Sequence, residues 1–311
     1  MMMKRVLWIA CAASLAVVLP AACLSAGEPL RSYELIFSTY FGGSGGELLR
    51  DMTADAQGNI YAAGTSGSAD LPKTHSDLPG QTPKDGAMVA KLTPGGALAW
   101  SRLCGTGKEI YFYTVKVDGA GFVYVAGRMG PGFPTTPGAF QPTTQHVCGF
   151  MGKLKPDASA WVWATYVGTG YAVRDMAMDD KGDLYGILDY FAESKEALPA
   201  AWFAGAFQKT PHGGGNHFGR SDAGVIKVSG DGKVLWATWI GGANGQRLGG
   251  VSRRRPRPLP GGAPADVFEG HAHDARRGER DPERRLAGQA LRGRVEAALR
   301  HVHRRCLSAD A

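Results

Sequence analysis

Few residues of this chain have both the type and the spacing needed for chemistry. His212 and His217 lie five residues apart in a glycine-rich segment and could ligate a metal ion, but no third ligand accompanies them. A solvent-exposed loop is therefore the favoured interpretation of that segment. Acidic residues such as Asp175 and Asp189 cannot be assembled into a site from the sequence. We accordingly assign no catalytic, cofactor-binding or metal-binding residue, and no cofactor.

Two further sets of residues have both a functional and a structural interpretation. Asp-x-x-Gly segments at 55–58, 118–121 and 179–182 could lend carboxylates to Ca²⁺, but they lack the alternating ligands of an EF-hand loop, which favours hairpin turns. Several tryptophans could stack on sugars, although their strand-like spacing favours packing between repeated units. These are Trp100, Trp161, Trp163, Trp236 and Trp239. The sequence contains no nucleophile elbow, phosphate-binding loop or zinc-protease helix motif.

A repeat of about 62 residues organises the chain. An Asp-x-x-Gly-x-x-Tyr phrase occurs at 55–61, 118–124 and 179–185. A second phrase, an apolar-Lys-apolar triplet followed by a tryptophan, keeps the same period in the first two units and is stretched by an insertion in the third. Self-similarity at a fixed period is typical of stacked or radial repeat architectures.

Within each unit, apolar residues alternate with period two, which indicates strands with one buried face. Four antiparallel strands per repeat is the architecture of a propeller blade. The sequence thus predicts an all-β, β-propeller-like array of about three blades, at 48–103, 110–167 and 172–240. The predicted strands are 48–54, 59–64, 86–92 and 97–103; 110–117, 122–127, 149–154 and 160–167; and 172–178, 183–188, 223–228 and 233–240.

Three phrases, at 38–43, 55–61 and 133–141, resemble those of the bacterial β-propeller repeat proteins abbreviated SBBP. The resemblance covers about residues 34–250 and is specific as a repeat signature. It implies a propeller that is exported or surface-associated and has no defined activity. It implies no catalytic residues.

Residues 34–41 match the fourth strand of a blade, yet no first three strands precede them. Propellers often close by letting an N-terminal strand complete the last blade, whose other strands lie at the C-terminus. Those partners are missing here. We therefore predict that the array is incomplete and that its outer blades expose apolar faces.

The repeat region, 28–250, gives way to a tail of different composition at 251–311. The tail holds 14 Arg against 8 acidic residues, whereas residues 1–250 hold 21 basic against 20 acidic residues, so the basicity belongs to the tail. The tail lacks Lys, Thr, Ile and Tyr. This composition favours translation in a shifted reading frame, with the original frame lost near codons 249–253. We predict a tail that is disordered or partly helical, the helix at about 283–305. A basic arm for nucleic acid is the alternative, but interspersed acids dilute its field, so no specific nucleic acid is expected.

The N-terminus predicts export. Lys4 and Arg5 precede an apolar run too short to span a bilayer, and small residues follow, which is typical of a signal peptide at 1–27. Lipidation of Cys23 is the alternative, disfavoured by Pro20. The mature chain is expected to be secreted, periplasmic or on the cell surface, with no transmembrane segment. Cys104 and Cys148 then lie in an oxidising compartment, where free buried thiols are favoured over a disulfide without settling the matter.

The sequence favours a non-catalytic interaction scaffold, truncated here, whose partner is an unidentified protein or glycan. Two other functions stay open. The chain could be the remnant of a propeller enzyme, a hydrolase or lyase with its site at the central channel, or a non-functional product of a damaged gene. Histidines or carboxylates from three blades that meet within metal-ligand reach would favour the enzyme.

Overall fold

In the computed structural model the described residues are 35–77, 86–105, 107, 110–169, 171–190, 198–211, 215–216, 219–220, 222–241, 248–254 and 267–272. The chain divides into two compact units, 1–38 and 39–311. In the first unit, residues 35–38 have no regular secondary structure, and Leu35 and Ile36 are exposed. Everything that follows concerns the second unit. None of the described residues belongs to a helix with the length and hydropathy needed to cross a membrane.

The second unit is built from antiparallel sheets that follow the repeat. Blade 1 contains β1 (Glu47–Ala54), β2 (Ile60–Ser66), β3 (His75–Ser76), β4 (Gly86–Leu92) and β5 (Leu98–Cys104). Blade 2 contains β6 (Tyr111–Val117), β7 (Val123–Met129), β8 (Cys148–Leu154) and β9 (Trp161–Thr169). Blade 3 contains β10 (Tyr171–Met178), β11 (Leu184–Tyr190), a 3₁₀ turn (Ala200–Phe203), the short pair β12 (Gly215–Asn216) and β13 (Gly219–Arg220), β14 (Ala223–Val228) and β15 (Val234–Ile240). The predicted all-β, propeller-like architecture is confirmed, with strand ends within about two residues of those expected.

The four long strands of each blade pair in chain order. The orders are β1-β2-β4-β5, with β3 added beside β5, then β6-β7-β8-β9, and β10-β11-β14-β15. In all three blades the first strand carries a β-bulge at the same repeat position, at Arg50, Tyr113 and Arg174. Because a bulge inserts one extra residue, it changes which face the following side chains point to.

The outer edge of each blade is covered by its own long loop. In blade 2 the backbone N–H of Thr136 donates to the Ala164 carbonyl at 3.1 Å, and that of Tyr166 donates to the Gln141 carbonyl at 3.1 Å. The same loop in blade 3 brings the Gln208 carbonyl to within 2.9 Å of the Trp239 N–H. These bonds occupy the last strand, so the blades do not offer their outer edges for strand addition.

The core lies between the faces of neighbouring blades. Between blades 1 and 2, Tyr61 and Val89 pack with Phe112, Val115 and Phe150. A second cluster between blades 2 and 3 follows the same plan and includes Tyr124, Met151, Trp163, Val173 and Met176. Since the described faces between blades 1 and 2 and between blades 2 and 3 are apolar and buried, burial between blades provides the main stabilisation.

The predicted orphan strand does not form. Residues 35–43 have no strand structure, because an isolated segment has no partner for its backbone ladder. Phe41 nevertheless packs against Leu71, Met88 and Leu103 of blade 1. The expected exposed face of blade 1 is therefore partly covered, while Leu49 and Met52 on β1 remain exposed.

The start of the tail also differs from the prediction. Residues expected to be disordered or helical instead form β16 (Leu248–Arg254) and β17 (Val267–Ala272), an antiparallel pair that we call the terminal hairpin. β16 packs beside β10 and β11, so blade 3 provides a surface for its backbone and β17 satisfies its hydrogen bonds. The helix predicted at 283–305 lies outside the described residues.

Candidate functional site

The first strands of the three blades bring polar side chains together at the inner side of the array. β6 packs beside both β1 and β10, and the shared bulge aligns the residues that follow it. The Thr114 hydroxyl oxygen lies 2.9 Å from Asp51 Oδ2 and 3.2 Å from Asp175 Oδ1. A hydroxyl has one proton, so Thr114 can donate to one carboxylate at a time.

Lys116 supplies the positive charge of this group. Its Nζ lies 2.8 Å from Asp51 Oδ2, 3.0 Å from Thr114 Oγ1 and 3.9 Å from Asp175 Oδ1. We call Asp51, Thr114, Lys116 and Asp175 the inner polar cluster. Because its members come from three blades, the cluster links the first strands of all three.

Donors from the protein occupy both carboxylates of the inner polar cluster. Burial by itself would raise the pKa of Asp51, but Lys116 and the Val115 N–H, at 3.0 Å, outweigh it and hold that pKa below its ordinary value. The Met176 N–H donates to Asp175 Oδ1 at 2.8 Å. A general base is most effective when its pKa lies near the working pH, so Asp51 is poorly suited to that role.

A ladder of cations and rings runs across the same strands at the bulge position. The Arg50 guanidinium lies 5.4 Å from the ring centroids of Tyr111 and Tyr113, and Arg174 lies 4.4 Å from that of Tyr113. Arg174 Nε donates to Asp189 Oδ2 at 2.6 Å. Arg50 is exposed and makes no ion pair with any described residue. The ladder thus presents a cation and aromatic edges to solvent.

The Asp-x-x-Gly segments form hairpin turns, as predicted. Asp118 Oδ1 accepts from the N–H groups of Ala120 and Phe122, and Oδ2 accepts from the Tyr124 hydroxyl at 3.0 Å. Gly121 has a φ of +84°, a backbone conformation that is strained for any residue with a side chain. The turns in blades 1 and 3 repeat these bonds with Asp55 and Asp179.

Two tryptophans connect neighbouring blades, as the sequence indicates. Trp100 of blade 1 donates its indole N–H to the Pro156 carbonyl of blade 2 at 3.0 Å. Trp163 of blade 2 donates in the same way to Gly230 of blade 3 at 3.1 Å. Trp161 also crosses an interface, since it donates to Asp77 of blade 1 at 3.0 Å.

The other two tryptophans have different surroundings. Trp239 is buried and stacks on Phe203 of the same blade, with ring centroids 5.7 Å apart. Trp236 occupies the repeat position of Trp100 and Trp163 but is only half-buried. Trp236 is less buried because the outer half of a following blade, which would cover it, is not present among the described residues.

We expect Trp163→Phe to lower the free energy of unfolding by about 1–2 kcal/mol, because it removes a buried hydrogen bond and part of the packed ring. The matched change Trp236→Phe is expected to cost less than about 0.5 kcal/mol. Urea unfolding followed by circular dichroism measures both. Equal losses would contradict the role of Trp163 as a connection between blades.

Several residues considered from the sequence are not part of this site. His212 and His217 lie outside the described residues. In the described part of the chain, no three His, Cys, Asp or Glu side chains are grouped so that they could hold a metal ion. Cys104 and Cys148 are buried and form no disulfide among the described residues, and burial together with Asp77 raises the pKa of the Cys104 thiol. A buried thiol of raised pKa is a poor nucleophile.

Sequence reasoning named Asp175 and Asp189 but missed their partners. Asp51, Thr114 and Asp175 occupy one repeat position, directly after the bulge residue of each first strand, and aligning the three units would have revealed this signal. The bulge obscures this signal in a single strand, because the alternation of apolar and polar residues changes phase at the bulge.

Comparison with known proteins supports the repeat assignment. Residues 36–72 match a family model described as SBBP, beta-propeller repeat. The resemblance to SBBP repeats is confirmed for this segment. The SBBP match covers the segment before blade 1, its first two strands and the start of its long loop.

Among solved structures, a protein of unknown function from Bacteroides caccae aligns with this chain at 10% sequence identity and a TM-score of 0.23. The alignment covers 62% of this chain and 82% of that chain. At such a score the likeness carries no argument about function. No curated protein matches the chain.

Proposed function

We propose that the chain is an exported, non-catalytic interaction scaffold built from SBBP propeller repeats. The observation that carries this proposal is the chemistry of the inner polar cluster. Lys116, Thr114 and backbone N–H groups occupy the carboxylates of Asp51 and Asp175, and the donors around Asp51 hold its pKa below the ordinary value. These contacts tie blades together and leave Asp51 poorly suited to act as a general base.

The Arg–Tyr ladder is the surface that best fits a partner. Arginine and tyrosine are the residues most enriched at binding surfaces, and here Arg50 lies over the rings of Tyr111 and Tyr113. A glycan or a protein segment with an acidic group could contact the ring edges and pair with Arg50. The partner is thus expected to be a glycan or protein, and not a specific nucleic acid.

Binding and turnover can be measured on the same preparation. An array of acidic and neutral glycans should give ligands whose binding falls about tenfold or more in Arg50→Ala, since a hydrogen bond to a charged group is lost. The Asp51→Asn variant tests whether the chain catalyses a reaction on the same glycans. Hydrolysis or elimination of a polysaccharide, abolished by Asp51→Asn, would instead support the alternative of a propeller enzyme.

Export predicts a mature N-terminus between residues 25 and 29. The charged start, the apolar run and the small residues after it support this position. Mass spectrometry of the secreted protein measures it directly. A matched Cys23→Ser variant should be exported and processed identically. A chain that retains Met1 would contradict export, and a diacylglyceryl group on Cys23 would contradict a soluble secreted form.

We also propose that the reading frame is lost near codons 249–253, which leaves the array truncated. The connections 55–59, 118–122 and 179–183 between the first two strands of blades 1–3 have five residues each, whereas 255–266 has twelve. The changed composition after residue 250 supports the same conclusion. Resequencing of that stretch should find a single-base insertion or deletion, and an intact frame would contradict this proposal.

A further inference from the structure

β1 of blade 1 exposes side chains that every other blade buries. Leu49 and Met52 are 49% and 71% exposed. Their repeat equivalents are Phe112 and Val115 in blade 2, which are 0% exposed. The equivalents in blade 3 are buried to the same degree. We call Leu49 and Met52 the open face.

The repeat shows what normally covers such a face. β6 packs beside β1 and β2, β10 packs beside β6 and β7, and β16 packs beside β10 and β11. In each case the first strand of one blade lies on the first two strands of the blade before it. The open face therefore requires two strands, the inner pair of a preceding blade.

The outer part of the same side of blade 1 is already covered. Phe41 packs there against Met88 and Leu103, which are buried. Phe41 follows a segment that matches the last strand of a blade. What is missing is thus the inner half of a blade.

The chain carries one such inner half at its other end. The terminal hairpin has the position of the first two strands of a fourth blade, and it packs beside β10 and β11 on one side. On its other side no described strand makes an extensive contact. The hairpin and the open face are therefore complementary halves of one repeated interface.

We propose that the terminal hairpin of one copy packs on the open face of blade 1 in a second copy, so that two copies close head to tail into a ring. A single chain does not close on itself in this structure, because Leu49 and Met52 stay exposed although the hairpin is formed. The described residues of each copy form three blades and half of a fourth. Two copies make eight blade positions, which lies within the range of four to eight blades typical of propellers. Head-to-tail contacts of this kind form rings when the rotation closes.

Light scattering on the full chain as purified from the secreting cells tests the assembly. We expect a dimer at micromolar concentration. Met52→Asp places a carboxylate in the contact and should raise the dissociation constant about tenfold or more. Val162→Asp is the matched control, because Val162 is similarly exposed on blade 2, whose two faces are covered. It should leave the dimer unchanged.

Cysteine cross-linking distinguishes a second copy from closure within one chain. A mixture of Met52→Cys and Ser252→Cys chains should form a disulfide-linked pair, since the two new thiols lie on different copies. A monomer, an open-ended polymer, a dimer that Met52→Asp leaves intact, or a cross-link that forms only when both cysteines are on one chain would overturn the proposal. Circular dichroism verifies that each variant keeps its strand content.

Discussion

Phe150→Ala is expected to lower the free energy of unfolding by about 3–5 kcal/mol. Phe150 is fully buried between blades 1 and 2, where its ring centroid lies 5.9 Å from that of Phe112 and 5.0 Å from that of Phe133. Trp161 and Tyr166 complete its surroundings at 5.6 Å and 6.5 Å. Rigid rings from several strands cannot collapse into the space, so a cavity adds to the lost burial.

The matched control is Phe207→Ala. Phe207 is 45% exposed, and its removal is expected to cost less than about 1 kcal/mol. Guanidinium unfolding of both variants and the parent chain measures the difference. A loss below about 1 kcal/mol for Phe150→Ala would show that the interface between blades 1 and 2 is not the stable core described above.

Lys116→Met is expected to lower the free energy of unfolding by about 1.5–3 kcal/mol at neutral pH. The change keeps the apolar stem but removes the ammonium that holds Asp51 at 2.8 Å. Asp51 and Asp175 then repel each other through the Thr114 hydroxyl that both approach. Partly buried carboxylates without a cation are costly, since burial penalises the charged form.

The loss in Lys116→Met should depend on pH in a defined direction. In the parent chain the pKa of Asp51 lies below its ordinary value of 3.8, so Asp51 contributes stability that is present above about pH 4 and is lost as the pH falls through its folded-state pKa. Without Lys116, burial raises that pKa. The variant should therefore approach the parent only as the pH falls through the folded-state pKa of Asp51 in the parent, because below that pH Asp51 is protonated in both.

Lys233→Met is the control for loss of a lysine. Lys233 lies 3.0 Å from Asp231, but both side chains are largely exposed, and such pairs contribute little. Its removal should change stability by less than about 0.5 kcal/mol at any pH. Similar losses for the two lysines, or a loss in Lys116→Met that does not vary between pH 3 and pH 7, would contradict the linking role of the inner polar cluster.

The strands themselves could be predicted from local patterns. The period-two alternation around Tyr124 and the turn residues at 118–121 place β6, β7 and their connection to within about two residues. Such features are local, because a hairpin needs only neighbouring residues to satisfy its backbone. The tail was harder. Its composition argued against strands, whereas β16 forms beside β10 and β11, a surface that lies far from it in the sequence.

The sequence by itself determined the repeat, the four-stranded unit and the tryptophans that face the next unit, since each depends on spacing within about 62 residues. Only the tertiary structure decided which polar groups meet. Asp51, Thr114 and Asp175 lie about one repeat apart and come within hydrogen-bond distance because three first strands pack side by side with bulges in register. The tertiary structure also decided which apolar residues are buried. Met52 and Met176 share a repeat position, yet Met52 is exposed and Met176 is buried, because among the described residues a blade packs only on the strand that holds Met176.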